Sequence, residues 1–576
     1  MNSIFEEENT DAILLVDASN AFNSINRKAF LHNIQSLCPA LSTYVRNCYS
    51  RKSRLFVDGG MEIKSEEVKS VAFADDLAGA GKLRDLLLWW NTIVRLGPLF
   101  GYHPKASKSW LIVKDEERLT EAMQIFSGTD VKITCSGKKY LGGTIGDDAF
   151  KSNYIKDLIS KWIEQIKTLS DIAKSQPQCA YSAFVGGFVH KFTYHLRVLS
   201  DIQEYLTPLD HAIDNFLIPA LTEGHHCSFV ERRLLALPVR YGGLGIPILS
   251  EIAEHESENS RKVSKELTEN IIAQRKEFRG NDNKGKYTIM KEKEVRHKNS
   301  LSEIRNELST EEKKANDLAQ VKGASNWLTA KPLKSEHFDL TKREFFDSIA
   351  IRYRWQLKHL PSICACGKRF SIEHALSCPK GGFIYQRHNE IRDTLAMTLN
   401  EVTKDVTIEP QLEPITGEHL DRGVIKEDGA RADISARGFW TRGQRAFFDV
   451  RVFNAYAQRY SRMSPTCAFE VNEKEKKRHY NQRIIQVDGG SFTPLIFSTN
   501  GGAGREAQIF IKALATLLSE KRDELMQITL NYLRTKISFA LARSTVLCIR
   551  GSRIPKSKNN IVQNPDINIT EAISYI

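Results

Sequence analysis

Three cysteines and one histidine lie close together in the segment CACGKRFSIEHALSC, with the spacing C-x-C-x7-H-x3-C. They are Cys364, Cys366, His374 and Cys378. Three thiolates and one imidazole suit tetrahedral Zn²⁺ with every position filled, which is typical of a structural rather than a catalytic ion. Gly367 permits a tight turn after the second cysteine, and the i, i+4 spacing of the last two ligands places them on one side of a helical turn. The alternative is four buried residues without a metal.

Three aspartates follow apolar runs near the N-terminus. Asp17 ends the run LLVD, whereas Asp75 and Asp76 lie between VAFA and a glycine-containing return, as at the tip of a β-hairpin. Carboxylates at adjacent strand ends can converge on two Mg²⁺ ions, which would stabilise both the attacking and the leaving oxygen of a phosphoryl transfer. The alternative is that each aspartate caps a turn.

Two further acids and a cation lie on neighbouring predicted strands late in the chain. Asp433 lies in ARADIS and Asp449 in FFDVRVF, where Arg451 is two residues beyond Asp449 and therefore on the same face of its strand. Metal-assisted phosphodiester cleavage requires carboxylates that hold Mg²⁺ and a cation that orients or activates the attacking water and stabilises the phosphorane charge. The alternative is a structural ion pair.

The elements that must position these groups predict an α+β multidomain chain. Short apolar runs alternate with helical stretches at the start, apolar residues at three-to-four spacing predict helices next, and a charged helical linker follows. The predicted segments are a mixed α/β segment (1–150), a helical segment (151–250), a charged helical linker (251–320), a zinc-knuckle region (321–383), a terminal α/β core (384–555) and a tail (556–576).

The terminal core has a predicted order of helix, three strands, helix, strand and helix. The predicted bounds are 384–402 for the first helix, 405–412, 430–439 and 444–453 for the strands, a charged helix around 469–483, a strand at 492–498 and a helix at 503–524. The stretch from Arg534 to Lys558 carries seven basic residues and no acidic ones. It is either a DNA-facing patch or a solvated basic tail.

The composition is that of a soluble globular protein. The 576 residues include 82 Lys and Arg against 70 Asp and Glu, a net charge of +12 that permits a polyanionic partner. No stretch approaches the roughly 18 apolar residues of a membrane helix, so no membrane partner is expected. The acidic N-terminus lacks the features of a secretory signal, and the ten cysteines are expected to be reduced thiols inside the cell.

The aspartate motifs resemble the palm of reverse transcriptases, in the order in which that family has them. DASNAFNS resembles the first catalytic motif, with Asp17 as a metal ligand and Phe22 as the aromatic residue that checks the sugar of the incoming nucleotide. FADD, which contains Asp75 and Asp76, is similar to the second. HPKASKSWLIV resembles the lysine-bearing motif, and KKYLGGTIG resembles the primer-gripping hairpin. The resemblance implies that 1–150 is a partial palm and 151–250 a thumb.

Two departures from the palm predict an inactive polymerase. The family has a Gly–Gln-containing segment between the two aspartate motifs, but this chain runs from GGMEIKSEE directly into VKSVAFADD. Only 16 residues precede Asp17, so we expect the fingers to be missing as well. A palm without fingers has little to hold a triphosphate, and positioning is most of what phosphoryl transfer needs.

The terminal core resembles the restriction-like nuclease fold, whose signature is an acid followed by (Asp/Glu)-x-Lys. Arg451 stands where that family has lysine, and arginine cannot serve as a neutral base. Lys476 or Lys477 on the following helix would supply the lysine instead. Glu413 or Glu390 would add a further carboxylate, and the RHN segment (387–389) would also belong to the nuclease.

Palm, thumb, linker, zinc knuckle and restriction-like nuclease together resemble the site-specific non-LTR retrotransposon proteins. The resemblance implies a nuclear protein that nicks DNA with Mg²⁺, and that primes reverse transcription of its own RNA from the nick. Its partners would be DNA and RNA, with no small molecule beyond deoxynucleoside triphosphates. We therefore expect a working endonuclease with an inactive RNA-directed DNA polymerase. The alternative is a decayed element that binds nucleic acid without catalysis.

Overall fold

The computed structural model of the chain describes residues 2–18, 68–73, 76–100, 102–273, 282–412 and 431–551. The chain divides into two compact units, each assembled from three segments. Both units combine helices with β-strands, which confirms the predicted α+β multidomain class. The first unit comprises Met1–Lys167, Phe188–Asp214 and Ile248–Arg296, and the second comprises Thr168–Gly187, Asn215–Pro247 and His297–Ile576.

Helices account for most of the described secondary structure. The helices predicted over 151–250 and 251–320 are present. None of the described helices is both long and apolar enough to cross a bilayer. In chain order the described α-helices are α1 (Asn2–Phe5), α2 (Leu83–Leu96), α3 (Glu116–Ile125), α4 (Asp148–Ala173), α5 (Pro177–Ala183), α6 (Val189–Val198), α7 (Gln203–Ala212), α8 (Ile218–Leu221), α9 (Phe229–Ala236), α10 (Leu249–Ile272), α11 (Asp282–Glu307), α12 (Thr310–Gln320), α13 (Asn326–Thr329), α14 (Lys342–Tyr353), α15 (Ile372–Ala375), α16 (Phe383–Val402), α17 (Pro465–Gln486), α18 (Arg505–Arg522) and α19 (Met526–Arg550).

A five-stranded sheet of order β2-β3-β1-β4-β5 organises the first unit. Its strands are β1 (Ala12–Val16), β2 (Lys69–Phe73), β3 (Asp76–Gly81), β4 (Trp110–Val113) and β5 (Lys132–Thr134), and the hairpin β6 (Gly137–Tyr140) and β7 (Gly143–Gly146) follows. The central strand β1 is antiparallel to both of its neighbours. Its run AILLV is buried along its whole length because alternate side chains cover both faces: Leu14 packs with Trp89 on one, and Ile13 with Ile112 on the other.

A four-stranded sheet of order β11-β10-β9-β8 organises the C-terminal part of the second unit. Its strands are β8 (Lys404–Ile408), β9 (Ile434–Arg437), β10 (Arg445–Phe453) and β11 (Ser491–Ser498). Only the β10–β11 pair is parallel among these neighbours. Phe448 and Val450 of β10 face the core formed with α16, α18 and α19, whereas Phe447 packs against α17 on the opposite face. The predicted order of helices and strands is confirmed.

The stretch from Arg534 to Arg550 corrects one expectation. It is neither a solvated tail nor a free patch, because it forms the C-terminal part of α19, whose apolar side chains lie in the core. Arg550 forms two hydrogen bonds of 2.7 and 2.8 Å to Asp347, which is fully buried. The run of basic residues without acids suggested an exposed segment, but apolar residues lie between the basic ones, and the helix buries them. The last residues of the stretch, beyond 551, lie outside the described chain.

Candidate functional site: a Cys/His cluster and two groups of acids

The predicted zinc ligands come together in the second unit. One ligand atom from each of Cys364, Cys366, His374 and Cys378 lies within 4.8 Å of the others. The two cysteine sulfurs of the buried pair, at 364 and 378, are 3.9 Å apart, and the sulfur at 366 lies 3.2 Å from Nε2 of the histidine. The four residues therefore form a cluster that can hold a metal ion, and the donor set is that of a structural zinc site.

Local backbone structure explains how the cluster forms. The N–H of Gly367 donates to the carbonyl of Cys364 (2.8 Å), and Gly367 has φ 82°, which favours glycine. Ser371 caps α15 by accepting a hydrogen bond from the N–H of His374 (3.1 Å). A hydrogen bond from the backbone of Lys368 lowers the pKa of the exposed Cys366 thiol, which favours the thiolate that binds metal. The tight turn and the short helix thus present four ligands to one point.

The first acid of the terminal core lies beside a histidine. Oδ1 of Asp433 is 3.0 Å from Nε2 of His388, and Oδ2 accepts a hydrogen bond from the backbone N–H of Val450 (2.6 Å). Asp433 immediately precedes β9, and its own N–H donates to the carbonyl of Phe448 (3.0 Å). These backbone bonds fix Asp433 next to the middle of β10, where the second acid lies.

The second acid, Asp449, is nearly buried, with its side chain 4% exposed. It lies on the face of β10 that packs against α17, and Nζ of Lys476 on that helix is 2.6 Å from Oδ2. This contact is an ion pair, and Tyr480 also interacts with the carboxylate of Asp449. Burial raises the pKa of Asp449 and the nearby charge of Asp433 raises it further, although Lys476 opposes both effects. The two predicted acids therefore interact electrostatically.

The cation that contacts the acid pair is Lys476 rather than Arg451. Nη1 of Arg451 lies 2.9 Å from Oε2 of Glu475, and Glu475 also binds Arg459. Lys477, the neighbouring candidate, pairs with Glu506 at 2.5 Å.

Of the two other carboxylates named from the sequence, Glu390 is exposed on α16, and Glu413 lies outside the described residues.

Tyr480 belongs to this site and was missed in the sequence. Its hydroxyl donates to the carbonyl of Arg431 (3.2 Å), and its ring centroid lies 5.6 Å from Nζ of Lys476. Burial, and then the charge of Asp449, raise the pKa of Tyr480. The signal that could have found it is its i, i+4 spacing from Lys476, which places both side chains on one face of a helix.

The RHN segment links the sheet to the knuckle. The buried guanidinium of Arg387 donates to the carbonyls of Leu376 (3.2 Å), between two knuckle ligands, and of Val452 (3.4 Å) on β10. Burial lowers the pKa of Arg387. Its neighbour His388 contacts Asp433, so the two residues have different roles: Arg387 joins the knuckle to β10, and His388 lies beside the first acid.

The N-terminal aspartates lie in the first unit, on adjacent strands. Asp17 directly follows β1 and Asp76 begins β3, and the antiparallel pairing of Val16 with Leu77 places the two aspartates beside each other. The N–H of Asp17 donates to Oγ of Ser109 (3.2 Å), inside the lysine-bearing motif.

The predicted primer-gripping segment forms the hairpin β6–β7. There, burial and the charge of Asp76 raise the pKa of Tyr140 to about 12. Asp75 and Phe22 lie outside the described residues.

Three groups of candidate residues thus exist in the described chain: the Cys/His cluster, the acids at Asp433 and Asp449, and the aspartates at the N-terminal sheet. No protein-family model matches the chain, and no curated protein matches it in sequence. Assignment of a function therefore depends on the contacts of these residues.

Proposed function

We propose that the second unit is a metal-dependent DNA endonuclease and that the chain derives from a non-LTR retrotransposon protein. The observation that supports this most directly is the convergence of Asp433 and Asp449 with His388 and Lys476. Two carboxylates, one of them buried, together with a cation and an imidazole are the groups that phosphodiester hydrolysis needs. A purely structural ion pair would not need the second acid or the histidine.

The residues present fit Mg²⁺. Asp449 offers a buried carboxylate, whose charge Lys476 partly balances, and Asp433 offers a second hard oxygen donor. Mg²⁺ bound by these two would lower the pKa of a bound water and stabilise the negative charge of the phosphorane.

The surrounding side chains have distinct roles in this proposal. Lys476 balances the charge of Asp449 and lies where it can donate a hydrogen bond to a phosphate oxygen or to the attacking water. His388 orients Asp433 through their 3.0 Å contact. Tyr480 packs beside Lys476 and restricts the ammonium to the side of the helix that faces β10.

The Cys/His cluster is proposed to hold a structural Zn²⁺ that orders the segment before α16. Cys378 lies five residues before Phe383, the first residue of that helix, and α16 carries Arg387 and His388. A closed tetrahedral site leaves no position for substrate. Zinc would therefore act through the fold rather than through chemistry.

The N-terminal sheet is proposed to be a reverse-transcriptase palm without polymerase activity. The adjacency of Asp17 and Asp76 and the hairpin formed by KKYLGGTIG support a palm. The missing Gly–Gln segment argues against catalysis, because a triphosphate that is not held in place does not react. Under this proposal the partners are DNA and RNA, and the protein acts in the nucleus.

A nicking assay on the full-length protein tests the endonuclease. The zinc-loaded chain is incubated with supercoiled plasmid and Mg²⁺, and conversion to the open-circular form is measured. We expect the wild type to nick and Asp449→Ala to be inactive. Glu470→Ala, which removes an exposed carboxylate from α17, is the matched control and should retain activity.

Failure of the wild type to nick would favour the second candidate, a nucleic-acid-binding remnant. The result counts only if circular dichroism shows that the protein is folded and several DNA sequences have been tried. A remnant would still bind DNA with an affinity that falls as salt rises, because its +12 charge displaces counterions.

A further inference from the structure

An open pocket lies in the second unit at the start of α17, and neither the acid pair nor the Cys/His ligands line it. Its volume is about 480 Å³, which is within the range of ligand pockets in proteins. Its walls come from α12, from α15, from the residue after α14 and from the segment between β10 and α17. The cations among its lining residues are Lys313, Lys314, Arg354 and Arg462.

The three acids that line the pocket are already paired with arginines. Glu311 and Glu373 both pair with Arg354, at 3.0 and 2.5 Å, and Asp317 pairs with Arg305 at 2.6 Å. These carboxylates are therefore compensated, and they do not balance the remaining cations of the pocket.

The remaining cations, Lys313, Lys314 and Arg462, form no ion pair within the part of the chain that the structure describes. Nζ of Lys314 donates to the carbonyls of Tyr460 (2.5 Å) and Ser461 (3.4 Å), which are neutral acceptors. An ammonium has three donors, so Lys314 keeps one for a ligand. The pocket therefore carries an excess of positive charge.

Two of the cations converge on one aromatic ring. Nζ of Lys314 lies 5.7 Å and Cζ of Arg354 lies 4.3 Å from the ring centroid of Tyr456. Burial lowers the pKa of Lys314, and the charge of Arg354 lowers it further, because a like charge disfavours the protonated form. Ser464, the residue that caps the 22-residue helix α17, also lines the pocket, so the positive end of that helix dipole lies there. An anion in the pocket would relieve this repulsion.

We propose that the pocket binds a backbone phosphate of a DNA strand that also passes the acid pair, an inference that rests on the proposed function. Lys313, Lys314 and Arg462 supply the donors to the phosphate oxygens. Tyr456 and Met463 supply an apolar wall against which the neighbouring sugar can pack.

The position of the pocket favours a strand over a free phosphate compound. Pro465, at the pocket, and Lys476, at the acid pair, lie eleven residues apart on the same helix, a distance of about 16 Å. A DNA strand that advances about 3.4 Å per nucleotide covers this distance in about five nucleotides. The pocket is also open, so a strand can enter it and leave it.

The salt dependence of DNA binding tests this proposal. Anisotropy of a short fluorescent duplex is measured with the full-length protein at several salt concentrations, without Mg²⁺ so that no strand is cut. The double variant Lys313→Ala, Arg462→Ala should weaken binding about tenfold and reduce the slope of log K against log salt by about 1, equally for unrelated DNA sequences. A slope equal to that of wild type would overturn the proposal.

A second double variant controls for the loss of charge. Lys331→Ala, Lys512→Ala also removes two positive charges, but these lysines are exposed and do not line the pocket. Its affinity for the duplex should stay within about twofold of wild type. Equal losses in the two double variants would overturn the proposal, because the effect would then be one of net charge.

A measurement on the wild type does not depend on any variant folding. Acetylation of individual lysines by an amine-reactive ester is followed by mass spectrometry, with and without the duplex. The duplex should slow acetylation of Lys313 severalfold and leave that of Lys331 unchanged. Equal rates at Lys313 with and without DNA would overturn the proposal.

Two further comparisons separate the possible outcomes. Inorganic phosphate that protects Lys313 as fully as the duplex does, at constant ionic strength, would show that the ligand is a free phosphate compound and overturn the assignment to a strand. A wild type that protects Lys313 with DNA but does not nick plasmid would refute the endonuclease and leave the phosphate pocket standing. Nicking without protection of Lys313 would refute the pocket alone.

Discussion

Two consecutive lysines on α17 have different partners. One lysine pairs with an acid of the candidate site, and the other pairs with a glutamate outside it. Nζ of Lys476 contacts Asp449 at 2.6 Å, whereas Nζ of Lys477 contacts Glu506 at 2.5 Å. A helix turns about 100° per residue, so neighbours in sequence point to different surroundings. One of the two faces the acid pair, and the other faces the start of α18.

We predict that Lys476→Ala reduces nicking about 10²–10³-fold, the usual loss when one charge-stabilising donor is removed. Lys477→Ala removes the same charge from the same helix and should leave nicking within a few-fold of wild type. The measurement is the single-turnover rate of plasmid nicking in Mg²⁺. Equal losses in the two variants would show that the effect is one of stability or overall charge.

Site residues could be predicted from the sequence where a short segment contains the evidence, but contacts between distant segments could not. Asp433 and Asp449 were identified because the two acids fall in neighbouring predicted strands, with a cation two residues beyond the second acid. The contact of His388 with Asp433 was not predictable, since 45 residues separate them and only the packing of α16 on the sheet joins them. Arg451 was placed correctly on the face of Asp449, but the sequence could not show that Glu475 would bind it.

The stability of the first unit should depend on pH through Glu256, which lies on α10. Its side chain is 4% exposed, and Arg197 and Lys293 each lie 2.9 Å from one of its oxygens. Burial opposes ionisation, but the two cations outweigh it, so the pKa of Glu256 is lowered. The carboxylate therefore contributes stability above the unfolded-state pKa of about 4.3, and this contribution is lost as the pH falls through the lowered folded pKa.

We predict that Glu256→Gln destabilises the first unit by about 1–2 kcal/mol at pH 7. The loss is no larger because Arg197 and Lys293 are partly exposed and can regain water once the carboxylate is gone. The difference in free energy of unfolding between wild type and variant should become smaller as the pH falls below about 4, because Glu256 is then protonated in the wild type. Urea midpoints measured from pH 7 to 3.5 check this, with the exposed Glu254→Gln as control. A difference in urea midpoint that stays constant across this range would mean that the ion pairs of Glu256 contribute nothing to stability.

At the scale of elements, the knuckle is a short segment with few regular hydrogen bonds of its own. Its backbone bonds include Gly367 N–H to Cys364 (2.8 Å) and Phe370 N–H to Ser362 (2.9 Å). Ala375 and Leu376 of the segment pack against Phe383, Cys548 and Ile549. Under the proposed function, a metal ion held by the four ligands would order the rest of the segment.

Removal of zinc with a chelator should raise hydrogen exchange of amides 362–378 at least tenfold while leaving β10 protected. Cys378→Ser should have the same effect without a chelator. Cys467→Ser is the matched control: this thiol is exposed, and only its backbone N–H caps α17 through Ser464. Unchanged exchange after chelation would argue against a structural ion.

Elements with a strong periodic pattern were predicted well. The helix expected over 384–402 is found at Phe383–Val402, and the strand expected at 492–498 is found at Ser491–Ser498. Helix α19 was missed because apolar and small polar side chains are buried around most of its circumference, which leaves no clear amphipathic stripe. Its role in the core depends on partners such as Leu395, more than 130 positions earlier.

At the scale of the whole molecule, the two compact units interleave along the chain, a feature that no local pattern reveals. The second unit includes Asn215–Pro247 as well as its C-terminal part. The buried Arg352 donates to the carbonyls of Val239 and Gly243, and Tyr353 donates to Gly242 (3.0 Å). A fragment that begins at residue 320 would remove these acceptors from Arg352 and Tyr353.

We therefore predict that a fragment of residues 320–576 unfolds at a lower temperature than a fragment of residues 215–576. In the shorter fragment the Arg352 guanidinium and the Tyr353 hydroxyl lose their buried acceptors, each at a cost of about 1–3 kcal/mol. Calorimetry of both fragments, with zinc present, measures the difference. If the proposed endonuclease is active, the longer fragment should also nick DNA at a rate nearer to that of the full-length chain, since α14 packs against α19 of the terminal core. Equal midpoints would mean that residues 215–319 add no stability to the fragment, and that the terminal core folds independently of the segment that precedes it.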